Sequence, residues 1–499
     1  MAWCMLMIRS YVLLNSFILF QSLAFTVDHS SSISKQTPEQ TREKRLDLRC
    51  KRRSSRNYQS LCRLNSKSKK QGASQGGRRE NVLSQDIYFE LHSSIGSIPA
   101  KAWDSCLEQD KSASPFLEHA WLRCLEESKC ASAETGWVPS HVSILIDGEA
   151  LGFVPLYIKG HSMGEFIFDS GWADAAHANG IDYYPKLLVG VPFTPAAGQR
   201  ILLHPTLREK YSCSEIARLR KLLGSFLKQV ARSNKISSVH INFLTEEEVN
   251  DIVGELKVAA APASEGIISN QVQAMLKRFK YVDKDEYLRR TSLQYHWTNA
   301  NSKNDGKPYK SFDDYLSCFK SKRRITIRRE RNKVMHDEDI CIDAVVGKDI
   351  LKYDGLVERM FDIYLSTVDK MIWGRQYLTL EFFQLLVKSD FVDNLCFMCA
   401  RRRATGDTLI AGDVFAGTFN IINNGVFYGR YWGCLSEVKN LHFETCYWSS
   451  IEYCIKNGLK RMEPGAGGGG KPVKRIRCVS FGLAYLNFLC YVDYRLQVG

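Results

Sequence analysis

Val426-Phe-Tyr-Gly-Arg-Tyr-Trp-Gly433, followed by Leu441-His-Phe-Glu444 and then by Lys460-Arg-Met-Glu463, reads as strand, helix and strand. Aromatic residues bounded by turn residues favour a strand over 426–432, and the apolar spacing over 441–456 favours a helix. Upstream, residues 394–401 and 408–420 read as strands, and 311–334, 357–368 and 379–388 as helices. Helices, then a meander, then strand–helix–strand is an α+β order that several folds share.

Further toward the N-terminus the texture stays globular to about Asp86. Residues 142–146 and 152–158 read as strands about Asp147-Gly148, a hairpin signal. Residues 115–127 and 213–233 carry apolar residues at helical spacing, and 238–243 is a short strand-like run. A polar insert at 298–310 divides the globular part, so the expected organisation is a leader (1–85), a first lobe (86–295), a second lobe (296–467) and an atypical tail (468–499).

The formal charge of the 499 residues is +14, but it is unevenly placed. Residues 1–85 hold 16 Lys and Arg against 5 Asp and Glu, leaving 52 against 49, or +3, for the remainder. A globular part so close to neutral does not carry a whole-surface footprint for nucleic acid. The 16 cysteines follow no disulfide or metal-ligand framework, and the Cys396/Cys399 pair lies in an apolar run that reads as a buried strand. No metal site is expected.

Residues 1–27 have Arg9, an apolar run over 11–20 and small residues at Ser22 and Ala24, which is signal-peptide grammar, while 28–80 are basic, Ser-rich and poor in acids. The pair is similar to a plastid-targeting leader. A secretory fate is the alternative, and no membrane span is expected in the mature chain.

Several strings carry a resemblance. They are Gly136-Trp-Val-Pro-Ser-His141, the stretch 154–169, Trp172-Ala-Asp174, Tyr183-Tyr-Pro-Lys186 and Val191-Pro-Phe-Thr-Pro195 in the first half. In the second half they are His296-Trp297, Lys322-Arg-Arg324, Ile327-Arg-Arg-Glu-Arg331, Tyr377-Leu-Thr379, Tyr428-Gly-Arg-Tyr-Trp-Gly433, Leu441-His-Phe-Glu444 and Glu463-Pro-Gly-Ala466. In this order they resemble the Fem-like branch of the GNAT acyltransferases, labelled peptidoglycan biosynthesis or recognition proteins. The resemblance spans about 115–467 and implies two GNAT-like lobes, each a mostly antiparallel mixed sheet flanked by helices. It implies transfer of an acyl group from a carrier to an amine, the carrier being aminoacyl-tRNA in Fem enzymes and acyl-CoA in ordinary GNAT enzymes. One departure follows Ala466: the string breaks into Gly467-Gly-Gly-Gly-Lys-Pro-Val-Lys-Arg-Ile-Arg477, so the chain is expected to lack a final strand and to leave a sheet edge open.

Acyl transfer to an amine needs a base, donors for the oxyanion and a groove for the carrier. His442 and Glu444 at a helix start are the expected acid–base pair, with Tyr428 beside them; a cap and a carbonyl contact are the structural alternative. Strand alternation puts Tyr428 and Arg430 on one face and Tyr431 on the other. Arg430 then either clamps a substrate carboxylate or phosphate or pairs with Glu463. Asp169, Trp172, Asp174, Tyr183, Tyr184, Lys186, Phe193 and Thr194 form a loop-rich recognition surface or an inert loop packed on its own aromatics, and His296 joins the expected substrate contacts. Arg323, Arg324, Arg328 and Arg329 lie on a basic helix that either contacts phosphates of tRNA, CoA or a lipid, or is simply solvated. The turn 433–440 lacks the second glycine of a pyrophosphate-gripping loop, which argues against CoA held in the ordinary way.

Two functions follow. The first is an N-acyl- or aminoacyltransferase acting on a small-molecule or peptide amine, with acyl-CoA or aminoacyl-tRNA as donor. The second is a non-catalytic module of the same fold binding a phosphorylated or anionic partner such as RNA, lipid or a CoA-like ligand.

Overall fold

The computed structural model describes residues 86–108, 113–167, 169–253, 287–368, 376–403, 408–465, 476 and 478–489. The leader expected over 1–85 lies outside them, as does the Gly467–Gly470 run. The described residues fall into two compact units, 169–183 and all the rest. In the smaller, Ser170–Ala178 is helical and Tyr183 Oη donates to Asp169 Oδ2 at 2.9 Å, so the expected loop is largely a helix.

The larger unit is α+β. Its first lobe holds β1 (Ile87–His92), β2 (Trp137–Pro139), β3 (His141–Ile146), β4 (Glu149–Val154), β5 (Leu156–Lys159), β6 (Lys186–Val189), β7 (Leu202–Leu203) and β8 (Ser238–Leu244). β9 (Leu288–Thr298) leads into the second lobe, with β10 (Ile340–Val346), β11 (Leu395–Arg402), β12 (Ala416–Asn423), β13 (Val426–Cys434) and β14 (Arg461–Glu463); β15 (Val479–Leu489) comes last. β1-β3-β4-β7 make a small sheet, and the other strands form one of order β10-β11-β12-β13-β14-β9-β15-β8-β6-β5-β2.

The hairpin forms where it is expected: Asp147 and Gly148 both take positive φ, the geometry of a tight two-residue turn between β3 and β4. The Cys213–Ser233 helix starts at a capping box in which Ser212 and Glu215 satisfy each other's ends, and it buries Ile216, Leu219, Leu223, Phe226 and Leu227. In β11 all but the last residue is buried. Cys396 and Cys399 are three apart on that strand, so they face opposite sides and enter different hydrophobic clusters.

Three expectations are corrected. The helix expected over 311–334 is two, Phe312–Ser317 and Ser321–Asn332; the break lets both Phe319 and Ile327 enter one core with Trp448. The strand expected over 408–420 begins only at Ala416. The open edge is absent, because β15 inserts between β9 and β8, antiparallel to both. β9 bridges the two groups of strands, since its Thr298 and Trp297 pair with β14 while the preceding residues pair with β15.

Candidate active site

β13 and β14 run parallel, but only Val426–Tyr428 pair with Arg461–Glu463. β13 continues to Cys434, still bonded to β12 on its other side. From Gly429 onward its β14-facing edge is therefore released. At the far end the Leu356–Val368 helix takes over that edge: Thr367 Oγ1 donates to the Trp432 carbonyl at 2.7 Å, and the Cys434 N–H donates to Ser366 Oγ at 2.9 Å. The helix backbone lies flush on Gly433, where a Cβ would overlap the Ile363 carbonyl.

Arg430 stands in this opening. Opposite β13, Phe419 pairs with Tyr431 and Asn420 with Gly429, so Arg430 is the extra residue of a β-bulge. A bulge re-aims its side chain and breaks alternation. Tyr428 and Tyr431 accordingly both pack with the same hydrophobic cluster, which corrects the expectation that they face opposite ways. The half-buried Arg430 guanidinium lies 5.0 Å over the Phe116 ring and 5.6 Å over Tyr431, and donates to the Phe193 carbonyl. Its Nε is buried with no hydrogen-bond partner, and no carboxylate among the described residues forms an ion pair with it. Burial lowers its pKa, against opposing pulls from Tyr431 and Glu463.

Phe193 belongs to the first lobe and has φ +55, a backbone state that non-glycine residues seldom adopt. Its ring stacks on Tyr377 at 5.0 Å and meets Trp137 edge-on at 5.3 Å. Gly164, itself at φ +79, lies beneath it: a Cβ there would be 2.6 Å from the ring. Tyr431 Oη also donates to the Phe193 carbonyl, at 3.5 Å.

The floor comes from β14 and β9. Glu463 is 3% exposed, pairs with Arg461 at 2.8 Å, and lies 3.9 Å from His296 Nε2. Burial pushes its pKa up to about 7 against the pull of Arg461 and Arg430. Gln294 Nε2 donates to the Pro195 carbonyl at 3.1 Å and toward Gly465 at 3.4 Å, leaving its oxygen to accept from His296 Nε2–H at 3.0 Å. Burial, with Arg461 adding to it, brings the His296 pKa down to about 3, so its imidazole is neutral. Tyr428 is buried edge-on to Phe116 at 5.3 Å, and burial raises its pKa.

The other expected residues are placed elsewhere. Glu444 is buried and bound by Arg331 at 3.0 Å and by Ser449 Oγ at 2.8 Å, while Arg331 also reaches Glu452. His442 is exposed, edge-on to Trp432 at 5.3 Å, with no hydrogen bond among the described residues; its aromatic neighbours strip hydration and lower its pKa. The two do not form a pair. The helix expected over 441–456 forms with an irregular start, α-helical over Leu441–Phe443, π-helical over Glu444–Ser449 and α-helical again over Ser450–Lys456.

Lys186, the first residue of β6, is buried against Glu165 at 2.9 Å and Ser162 Oγ at 2.7 Å, and Tyr184 Oη shares that serine at 2.8 Å. Thr194 is buried, donating to the Pro192 carbonyl at 2.9 Å. Trp172 and Asp174 lie on the Ser170–Ala178 helix. Of the helix arginines, Arg323 lies over Trp448, Arg324 donates to the Phe319 carbonyl, Arg328 pairs with Asp313, and Arg329 projects outward. The structure thus joins Arg430, Glu463, His296, Tyr428 and Phe193, and adds Gln294, Tyr431 and Arg461. Gln294 stood two residues from His296 on the same strand face, which was a readable signal; the Phe193 carbonyl left none in the side-chain pattern.

Among solved structures, FemX is similar at 12% identity and a TM-score of 0.41, covering 79% of this chain and 96% of that one. A tandem GNAT protein from the clavulanic acid biosynthesis pathway is similar at 11% and 0.35, covering 80% and 98%. L-PGS from Bacillus licheniformis is similar at 7% and 0.37, covering 73% and 89%. No curated protein matches the chain. Residues 94–477 match the FemAB_like family, described as peptidoglycan biosynthesis/recognition. With its β10–β13 meander followed by a helix and the parallel strand β14, and with that match spanning both GNAT-like lobes, the chain belongs to the FemAB_like family.

Proposed function

We propose that the chain is an acyl- or aminoacyltransferase whose reacting centre is the opening between β13 and β14. The observation that carries this reading is Arg430, a cation at a bulge with its Nε donor left over and no direct ion-pair partner among the described residues. A guanidinium placed in this way holds a carboxylate, a phosphate or the oxyanion of a tetrahedral intermediate.

Glu463 supplies the base. With a pKa of about 7 it is poised to accept a proton near neutrality. The amine nitrogen attacks the acyl carbonyl carbon and the C–N bond forms. Its proton passes to Glu463 and then to the carrier oxygen or sulfur as the bond between that atom and the acyl carbon breaks. Neutral His296, oriented by Gln294, lines the base without adding charge.

The donor favoured is an aminoacyl ester on a carrier. The 433–440 turn that leads into the helical run after β13 lacks the second glycine of a pyrophosphate-gripping loop, and that run opens with only three α-helical residues before a π-helical turn. The test incubates the full chain with labelled aminoacyl-tRNA or labelled acetyl-CoA and a mixture of amines. Transfer from aminoacyl-tRNA is expected, falling about 100-fold or more in Glu463→Gln and Arg430→Met. Transfer unchanged in both variants, or none from either donor, overturns the reading; the latter leaves a binding module.

A further inference from the structure

The Ser321–Asn332 helix divides its cations between two faces. Those turned inward are occupied: Arg331 by Glu444 and Glu452, Arg324 by the Phe319 carbonyl, and Arg323 over the Trp448 ring. The outward face, built at helical spacing, exposes Lys322, Ile325, Arg328 and Arg329, with Lys320 at its start. Among the described residues Lys320, Lys322 and Arg329 make no ion pair, and the pair between Arg328 and Asp313 is itself exposed.

The concentration of charge is local. Residues 303–333 hold 11 Lys and Arg against 4 Asp and Glu, or +7, although the whole of 86–499 carries only +3. Solubility does not require such a patch on a chain whose other globular residues sum to a net negative charge. At its centre Ile325 is 61% exposed, flanked one helical turn away by Lys322, Arg328 and Arg329. An aliphatic side chain ringed by cations matches a phospholipid surface, whose phosphates take the charges while the acyl boundary takes the isoleucine. A nucleic-acid backbone offers the phosphates but nothing for the isoleucine. No helix among the described residues is long and apolar enough to cross a membrane, so any contact made by this face is peripheral.

We propose that the outward face of the Ser321–Asn332 helix docks the protein on an anionic lipid bilayer, a role separate from the Arg430 centre. The full chain is sedimented with phosphatidylcholine vesicles with and without phosphatidylglycerol, and hydrogen exchange is read over 320–333 so that binding by other basic segments does not mask the result. Phosphatidylglycerol is expected to slow exchange on this helix. Lys322→Glu with Arg329→Glu should weaken binding about tenfold or more, and Ile325→Ser about fivefold with the salt dependence kept. All three side chains are solvent-facing, so an unchanged thermal midpoint verifies the fold of the variants. Vesicle binding and exchange identical in variants and wild type overturn the proposal. Protection of the helix by bulk tRNA but not by vesicles also overturns it, in favour of RNA.

Discussion

The Phe193 carbonyl of the first lobe accepts from the Arg430 guanidinium of the second. The contact fixes the cation of the opening from across the lobe boundary, through a backbone oxygen aimed by an unusual φ. Gly164→Ala tests it without touching Arg430. The added Cβ would be 2.6 Å from the Phe193 ring, in a backbone state that disfavours alanine. Transfer should fall about tenfold, through the misplaced arginine, while circular dichroism reports a folded protein.

Gly433 and Gly429 stand on the same strand with opposite tolerances. A Cβ at Gly433 meets the backbone of the Leu356–Val368 helix, whereas at Gly429 the nearest atoms are 3.5 Å away. Gly433→Ala should cost about 3 kcal/mol or more in thermal or urea unfolding, and Gly429→Ala about 1 kcal/mol or less.

Glu444 depends on Arg331 rather than on His442. Removing the cation leaves a carboxylate that is 1% exposed. Arg331→Ala is expected to destabilise by about 3–5 kcal/mol. His442→Ala, at an exposed position, should stay within about 1 kcal/mol of wild type and within threefold of its transfer rate.

The Glu463 carboxyl titrates at about 7 when folded, above its ordinary 4.5. Between those values the folded state holds more proton than the unfolded, so this group's contribution to stability falls as pH rises from 4.5 through 7. His296, lowered to about 3, acts oppositely, since its contribution rises with pH between 3 and 6.5. The difference in unfolding free energy between wild type and Glu463→Gln isolates the first effect. It should shift against wild type by up to about 3 kcal/mol across that window.

Much of the fold was legible because local signals carried it. Alternation and turn residues marked the β3–β4 hairpin, periodicity and a capping box marked Cys213–Ser233, and an unbroken apolar run marked β11. The site was legible as a neighbourhood: Tyr428, Arg430, Glu463, His296 and Phe193 were all chosen from the sequence, and they do converge. What stayed hidden depends on partners distant in sequence. The bulge at Arg430 exists only in register with β12. Arg331 claims Glu444 across a separation of 113 residues. β15 finds its place between β9 and β8, which no pattern within the tail discloses.

The proposed chemistry rests on Arg430 and Glu463 rather than on His442 and Glu444. It is tested most directly by the pH dependence of aminoacyl transfer in wild type, Glu463→Gln and His442→Ala. In wild type and in His442→Ala the rate should climb with pH through a midpoint near 7 to a plateau above it, with that limb abolished in Glu463→Gln. A limb that survives in Glu463→Gln and disappears in His442→Ala would contradict it.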